Sequence, residues 1–372
     1  MSKYQESSEV DVLIIGAGII GLATAYQLAQ LFPRLRVLVV EKNRRYGQET
    51  SSRSSEVIHA GMYYPAASLK ARFCVEGNRL LYDFCASYQV KHQRLGKIII
   101  AVNDEEVDAL RNLYRQGLEN GVELEWLEEK TAERLEPGIR AAAGIWSPNT
   151  GIIDSDGLMR CLYQLLLEQG VICLFNAAVE DIEKNGDTYY VNLSQEIIET
   201  PVIINCAGLY SDQIAALSGM DINKHGYRLH YCKGEYYRLS PAPDIKHLIY
   251  PLPEKGGLGI HITRDLAGGQ RLGPNAYYVE QIDYGMTEDF KPQFFRAVKR
   301  YLPALKMENL HPDYTGIRPK LQGENDSFRD FIIKEEGAKG FPGFINLIGI
   351  ESPGLTSCLA IGRYVTNLLE SI

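Results

Sequence analysis

Apolar residues run without a break from Val12 to Ile15, pass into glycines at Gly16, Gly18 and Gly21, and return at Leu22, Ala25, Tyr26, Leu28 and Ala29 with helical spacing. A second apolar run, Val37 to Val40, ends at Glu41. The pattern predicts a strand, a tight turn, a helix and a second buried strand. The next stretch, Lys42 to Tyr64, is crowded with Ser, Thr, Gly and charge and reads as an extended loop. Helical spacing resumes from Leu69 to Ala86, Lys97 to Val102 reads as a buried strand, and Glu105 to Asn120 as a helix ended at Gly121.

Farther along, Gly157 to Glu168 predicts a helix, and Val171 to Phe175 and Pro201 to Gly208 predict strands. Between Tyr227 and Gly273 the chain is rich in Tyr, His, Gly and β-formers, which predicts an antiparallel sheet of different architecture. Gly343 to Ile350 and Ser352 to Leu369 close the chain as strand, turn and helix, so the unit that opens the sequence is expected to be completed by its end.

The glycine turn carries chemistry. Gly16 permits the tight turn, Gly18 allows backbone to approach a pyrophosphate, and Gly21 allows close packing of helix on strand. Glu41 stands twenty residues beyond Gly21, where a carboxylate accepts from ribose hydroxyls and repels a 2′-phosphate. NADP is thereby disfavoured, while FAD and NAD both remain open on these residues.

Composition narrows the field. The 372 residues are 45% hydrophobic and 23% charged, enough for two cores, and the net charge of −8 without any basic block argues against a nucleic-acid partner. Seven scattered cysteines without a CxxC pair indicate neither a zinc site nor a disulfide framework and suit a reducing compartment. The first ten residues lack the pattern of a signal peptide, and no apolar stretch approaches the roughly 20 residues of a membrane span. The expectation is a cytoplasmic protein, or one peripheral to the inner face of a membrane.

Several segments in order resemble the FAD-dependent D-amino-acid-oxidase-like superfamily, and within it the L-2-hydroxyglutarate dehydrogenase group. They are VLIIGAGIIGLATAYQLA (12–29), SSRSSEVIHAGMYY (51–64), IINCAGLYSD (203–212), KGEYYRL (233–239), IYPLP (249–253), GLGIHITR (257–264), LGPNA (272–276), TGIRPK (315–320) and NLIGIESPGLTSCLAIG (346–362). The resemblance implies an α/β fold with a discontinuous Rossmann-like FAD-binding domain over 1–85, 145–220 and 312–372. A second α+β substrate-binding domain, built on an antiparallel sheet, would occupy 86–144 and 221–311. It also implies tightly held FAD and oxidation of a 2-hydroxy dicarboxylate to the 2-oxo acid, with quinone or oxygen as electron acceptor. An amine or amino-acid oxidase of the same fold, producing peroxide, is the alternative; a non-catalytic flavoprotein is a third reading. Two departures stand out: Glu56 occupies a position where the group commonly has glycine, and a mitochondrial transit peptide is lacking, which suggests a bacterial or otherwise cytosolic version.

Oxidising a carbinol carbon requires a base for the hydroxyl proton and a cation for the carboxylate. Arg318, held extended by Pro319, suits the cation, although an ordinary ion-paired arginine would look the same; the resemblance implies that it anchors the substrate and lies close to the cofactor. His261, read as mid-strand between apolar neighbours, and His59 in the loop are rival bases. Some relatives attach FAD through a histidine in a segment comparable to that of His59. Cofactor contacts are expected at Gly16, Gly18, Ile19, Gly21, Glu41, Lys42, Ser51, Ser52, Arg53, Ser54, Val179, Ala207 and Gly208, and at Gly354, Leu355 and Thr356, whose helix start would face the negative charge of the reduced flavin. A second carboxylate could meet Lys233, Arg264, Tyr63 or Tyr250, which the sequence does not rank.

Overall fold

The computed structural model describes residues 7–194, 196–252, 259–287 and 289–370. The opening six residues and the start of the GLGIHITR segment, with Pro253 of IYPLP, therefore lie outside the described residues. The chain forms two compact units: residues 1–52, 155–230 and 319–372, and residues 53–154 and 231–318.

In the first unit, six strands run in the order Ile172–Phe175, Val37–Glu41, Val12–Ile15, Ile203–Asn205, Phe341–Ile348 and Ile332–Glu336. All neighbours are parallel except the last pair. Both faces of the central strands are covered, which is why they read as unbroken apolar runs. One face packs Leu13, Leu38, Ile203 and Phe344 into a core shared with Ile182, Tyr189, Val191 and Ile198. Those residues belong to a four-stranded sheet, Ser7–Glu9, Ile197–Thr200, Thr188–Leu193 and Val179–Asn185, that the periodicity did not reveal. The helix Ile19–Leu31 packs on Gly354–Leu369 and Ser155–Glu168. A Cβ on Gly362 would lie 2.7 Å from the Ala23 carbonyl oxygen, so the first and last helices touch backbone to backbone.

The second unit is built on a nine-stranded sheet. Its path runs Tyr277–Val279, His230–Leu239, Gln270–Leu272, Ile262–Arg264, Leu248–Pro251, Lys97–Ala101, Ala143–Ser147 and Glu125–Glu128, with Leu310–Lys320 also paired to His230–Leu239. The expected antiparallel character holds for the pairings described except one: Leu248–Pro251 and Lys97–Ala101 are parallel. Alternation along the strands sends Ile98, Ile100, Ile249 and Ile262 to a core with Phe294 and Val298 of the helix Lys291–Lys299, and Ile99, Ala101, Leu248 and Tyr250 to the opposite face. A short sheet of Val57–Ile58, Gly151–Ile153 and His92–Gln93 completes the unit.

The unit boundaries differ from those expected. Residues 53–85 and 145–154 fold with the second unit because Val57 pairs with Ile152 and the helix Leu69–Ser87 bonds that region through Asn78. Residues 312–318 follow because they continue a strand of its sheet. Residues 221–230 go the other way, since Tyr227 and Leu229 are buried in the first unit's core.

Candidate active site

The first unit presents a cradle at the carboxyl ends of its parallel strands. Gly16 has φ +104°, and its N–H donates to the Val40 carbonyl at 2.8 Å. A Cβ on Gly21 would stand 1.9 Å from the Gly16 carbonyl oxygen and one on Gly16 2.5 Å from that of Cys206, so no side chain fits at either position. Gly18 is extended and immediately precedes the helix, and Ser51 Oγ accepts from the Ile19 N–H at 3.0 Å, satisfying one of the unpaired donors of the first turn. The buried Glu41 carboxylate is oriented by three donors: Ala17 N–H at 3.0 Å, and the N–H and side-chain amide of Asn43, each at 2.9 Å. Its remaining lone pairs are those a ribose would use.

Ala207 and Gly208 follow the strand Ile203–Asn205; Gly208 has φ +57° and open space where a Cβ would stand. Gly354 begins the last helix with Leu355 half-buried and Thr356 buried, and Ser357 Oγ is a buried oxygen with no hydrogen-bond partner among the described residues. This orphaned oxygen, the glycines that admit no side chain and the oriented carboxylate fit a dinucleotide. Of the other expected contacts, Lys42 pairs with Glu49 at 2.8 Å, Ser52 Oγ donates to the Glu49 carbonyl, and Val179 packs against the core. Arg53 and Ser54 belong to the second unit, against the strand Leu310–Lys320. The Arg53 guanidinium lies 3.9 Å from the Tyr284 ring centre and donates to the Thr315 carbonyl, and the Ser54 carbonyl accepts from Tyr314.

In the second unit, one face of the large sheet gathers Arg318, Tyr236, Tyr250, His261 and Lys97. His261 is not mid-strand as expected but immediately precedes Ile262–Arg264; its neighbours Ile260 and Ile262 still enter the opposite core. Its ring is buried and stacks on Tyr250, with centroids 3.5 Å apart. His59 stands beyond Val57–Ile58 in a loop clamped by amides. Asn78 donates to the His59 carbonyl, Gln116 to that of Met62, and Asn120 to those of Gly61 and Tyr64, at 2.9 to 3.0 Å. Burial, then the nearby Lys97 and then His261, push the His59 imidazole down to about 3, so it is neutral at physiological pH.

Arg318 lies near the end of its strand, two residues before Lys320; Nη2 donates to the Asn275 carbonyl at 3.2 Å, and Gly234 leaves room beside it. Asn275 Nδ2 is buried with no partner among the described residues, an unsatisfied donor next to a guanidinium. Of the candidates for a second carboxylate, Lys233 is engaged by Asp283 and the Gly285 carbonyl, and Arg264 by the Lys246 carbonyl. Tyr63 and Tyr250 instead flank Lys97, whose Nζ is 4.7 and 4.6 Å from their ring centres.

Sequence reasoning missed Lys97, the clamping amides and Asn275. Lys97 had a signal: a lysine at the head of a strand apolar on both faces has no solvent to enter.

The parallel sheet with a glycine turn, an acidic strand end and a separate sheet bearing arginine and histidine defines a dinucleotide-dependent oxidoreductase. Residues 11–368 match the family described as FAD dependent oxidoreductase. The chain belongs to this family, and its cofactor is FAD. It is 37% identical to the mitochondrial L-2-hydroxyglutarate dehydrogenase of Arabidopsis thaliana, over 96% of this chain and 83% of that protein. It is 29% identical to the L-2-hydroxyglutarate dehydrogenase of Escherichia coli K12, over 97% and 93%. Among solved structures it is similar to dithionite-reduced L-alpha-glycerophosphate oxidase of Mycoplasma pneumoniae with FAD bound, with a TM-score of 0.87 and 29% identity over 98% of this chain and 95% of that one. No helix among the described residues is long and apolar enough to cross a membrane, and no group of His, Cys, Asp and Glu there could hold a metal ion.

Proposed function

We propose that the protein oxidises L-2-hydroxyglutarate to 2-oxoglutarate, the first unit holding FAD and the second binding and deprotonating the substrate. The observation that carries this reading is the single sheet face bearing Arg318, with an unsatisfied Asn275 amide beside it, together with a neutral His59 and the buried His261. The curated relatives supply the substrate.

In this reading Gly16, Gly18, Gly21 and the start of the first helix hold the pyrophosphate, Glu41 the adenosine ribose, and Gly354 to Thr356 the flavin end. FAD, when bound, accepts two electrons and the carbinol hydrogen. Arg318 holds the carboxylate next to the carbinol through charge-assisted bonds, with Asn275 Nδ2 as a further donor. His59, held neutral, or the buried His261 takes the hydroxyl proton. The acceptor that reoxidises the enzyme is a quinone or oxygen. Cytoplasmic placement, with peripheral contact at the inner face of a membrane for a quinone, is part of the same proposal.

The test is anaerobic addition of millimolar L-2-hydroxyglutarate to the purified yellow protein. Bleaching of the flavin is expected, and an unbleached spectrum rejects the substrate. Bleaching by glycine or sarcosine instead, with peroxide formed in air, would select the amino-acid oxidase. Arg318→Ala should raise KM about 100-fold, the loss of roughly 3 kcal/mol of charge-assisted bonding, with FAD content unchanged; an unaltered KM removes the anchor.

A further inference from the structure

We propose that Lys97 is the final acceptor of the substrate's hydroxyl proton, reached through His59 and His261. The proposal rests on the function given above and adds a proton path to it.

Lys97 is only 1% exposed. It opens the strand Lys97–Ala101 and shares the sheet face of Ile99 and Ala101. Among the described residues no carboxylate pairs with it. The groups that face its Nζ are the Tyr63 and Tyr250 rings, the Cys74 thiol and the imidazole of His59, while His261 stacks on the same Tyr250 ring. A buried ammonium without a counter-ion is costly, so burial favours the neutral amine and leaves a base kept from water. Burial draws Lys97 down to about 7, opposed by Cys74.

The other groups are unsuited to keeping a proton. His59, at about 3, passes one on. The phenols of Tyr63 and Tyr250 and the thiol of Cys74 are all pushed upward by burial and already hold theirs. Once Lys97 is protonated, the two ring faces attract the new cation. The step balances. The carbinol O–H bond breaks and an N–H bond forms on Lys97, the cluster gains one positive charge, and the carbinol hydrogen with two electrons is the share taken by FAD as the alcohol becomes a ketone. Lys97 acts through the histidines and need not touch the substrate.

The experiment follows flavin reduction by L-2-hydroxyglutarate in anaerobic stopped flow from about pH 5.5 to 9, with wild type, Lys97→Met and Lys97→Arg holoenzymes. The wild-type rate should rise through one ionisation near neutrality. Both variants should keep FAD and substrate affinity within about threefold, lose about 100-fold in rate, and lose that limb. A variant with wild-type rate and an unmoved limb overturns the proposal. In parallel, the ε-carbon resonances of 13C-labelled lysine are titrated in wild-type holoenzyme. One resonance should titrate between about pH 6 and 8 and be missing from Lys97→Arg; lysines that all titrate above about 9 overturn the proposal even if Lys97→Met fails to fold. A wild-type flavin that the acid does not reduce counts against the substrate alone, and the lysine titration then decides the role of Lys97.

Discussion

Glu56 holds φ +56°, in the left-handed region where a residue with a Cβ carries about 1–2 kcal/mol of strain. Its carbonyl accepts from the Ile153 N–H at 3.0 Å, which fixes the backbone just ahead of the strand leading to His59. The departure noted at this position in the sequence is therefore a conformational one: glycine fits the turn and glutamate is forced into it. Glu56→Gly is expected to stabilise the protein by about 0.5–1 kcal/mol, the strain relieved less the extra chain entropy of glycine. A rise of a few degrees in thermal midpoint would bear this out, and a fall would show that the Glu56 side chain contributes more than its backbone costs. Arg318 became a candidate through the resemblance of TGIRPK, since an extended arginine before proline looks the same in an ordinary ion pair. Lys97 and Asn275 were not legible, because a strand's pattern shows that its faces differ but not which polar groups the rest of the chain brings onto one of them.

At the scale of elements, the opening strand, turn and helix were legible almost to the residue, since apolar period, glycine spacing and the acidic strand end are all local signals. Their packing is tight enough to test. Gly21→Ala would place a methyl 1.9 Å from the Gly16 carbonyl oxygen. It should cost about 1–3 kcal/mol and leave the purified protein depleted of FAD, read as the ratio of absorbance near 450 nm to that at 280 nm; full flavin content would remove this turn from the binding site. The strand Val179–Asn185 escaped notice because charge fills most of its positions and its register contains a bulge, and Thr188–Leu193 because Tyr190 on its less buried face masks the polar–apolar alternation. The reach of Leu310–Lys320 was equally hidden. Ionic and polar residues at its start resemble a loop, and only pairing with His230–Leu239 makes it a strand.

For the whole molecule, the two buried bases make stability depend on pH. His59 and Lys97 each bind protons less tightly in the folded chain than at their ordinary values of 6.5 and 10.5. The unfolded chain therefore holds more protons, and stability rises with pH across about 3 to 6.5 for His59 and about 7 to 10.5 for Lys97. Cys74, raised by burial to about 12, opposes this above its ordinary 9.0. In denaturant titrations between about pH 7 and 8.5, the wild type should gain on Lys97→Met by up to about 1.4 kcal/mol per unit. A constant gap would mean that the lysine keeps an ordinary proton affinity.

By itself the sequence determined the dinucleotide turn, the discontinuous parallel sheet and the second sheet, each encoded by neighbours within a few residues of the chain, and offered His59 and His261 as candidates, while Arg318 stood out through the resemblance of its segment. Only the tertiary structure decided that the chain changes unit after residues 52, 154, 230 and 318, that Arg53 and Ser54 lie with the second unit, and that Lys97 meets Tyr63, Tyr250 and His59. Those outcomes depend on pairings between segments far apart in the chain and on which face of a sheet is covered, quantities that no local pattern of polar and apolar residues contains.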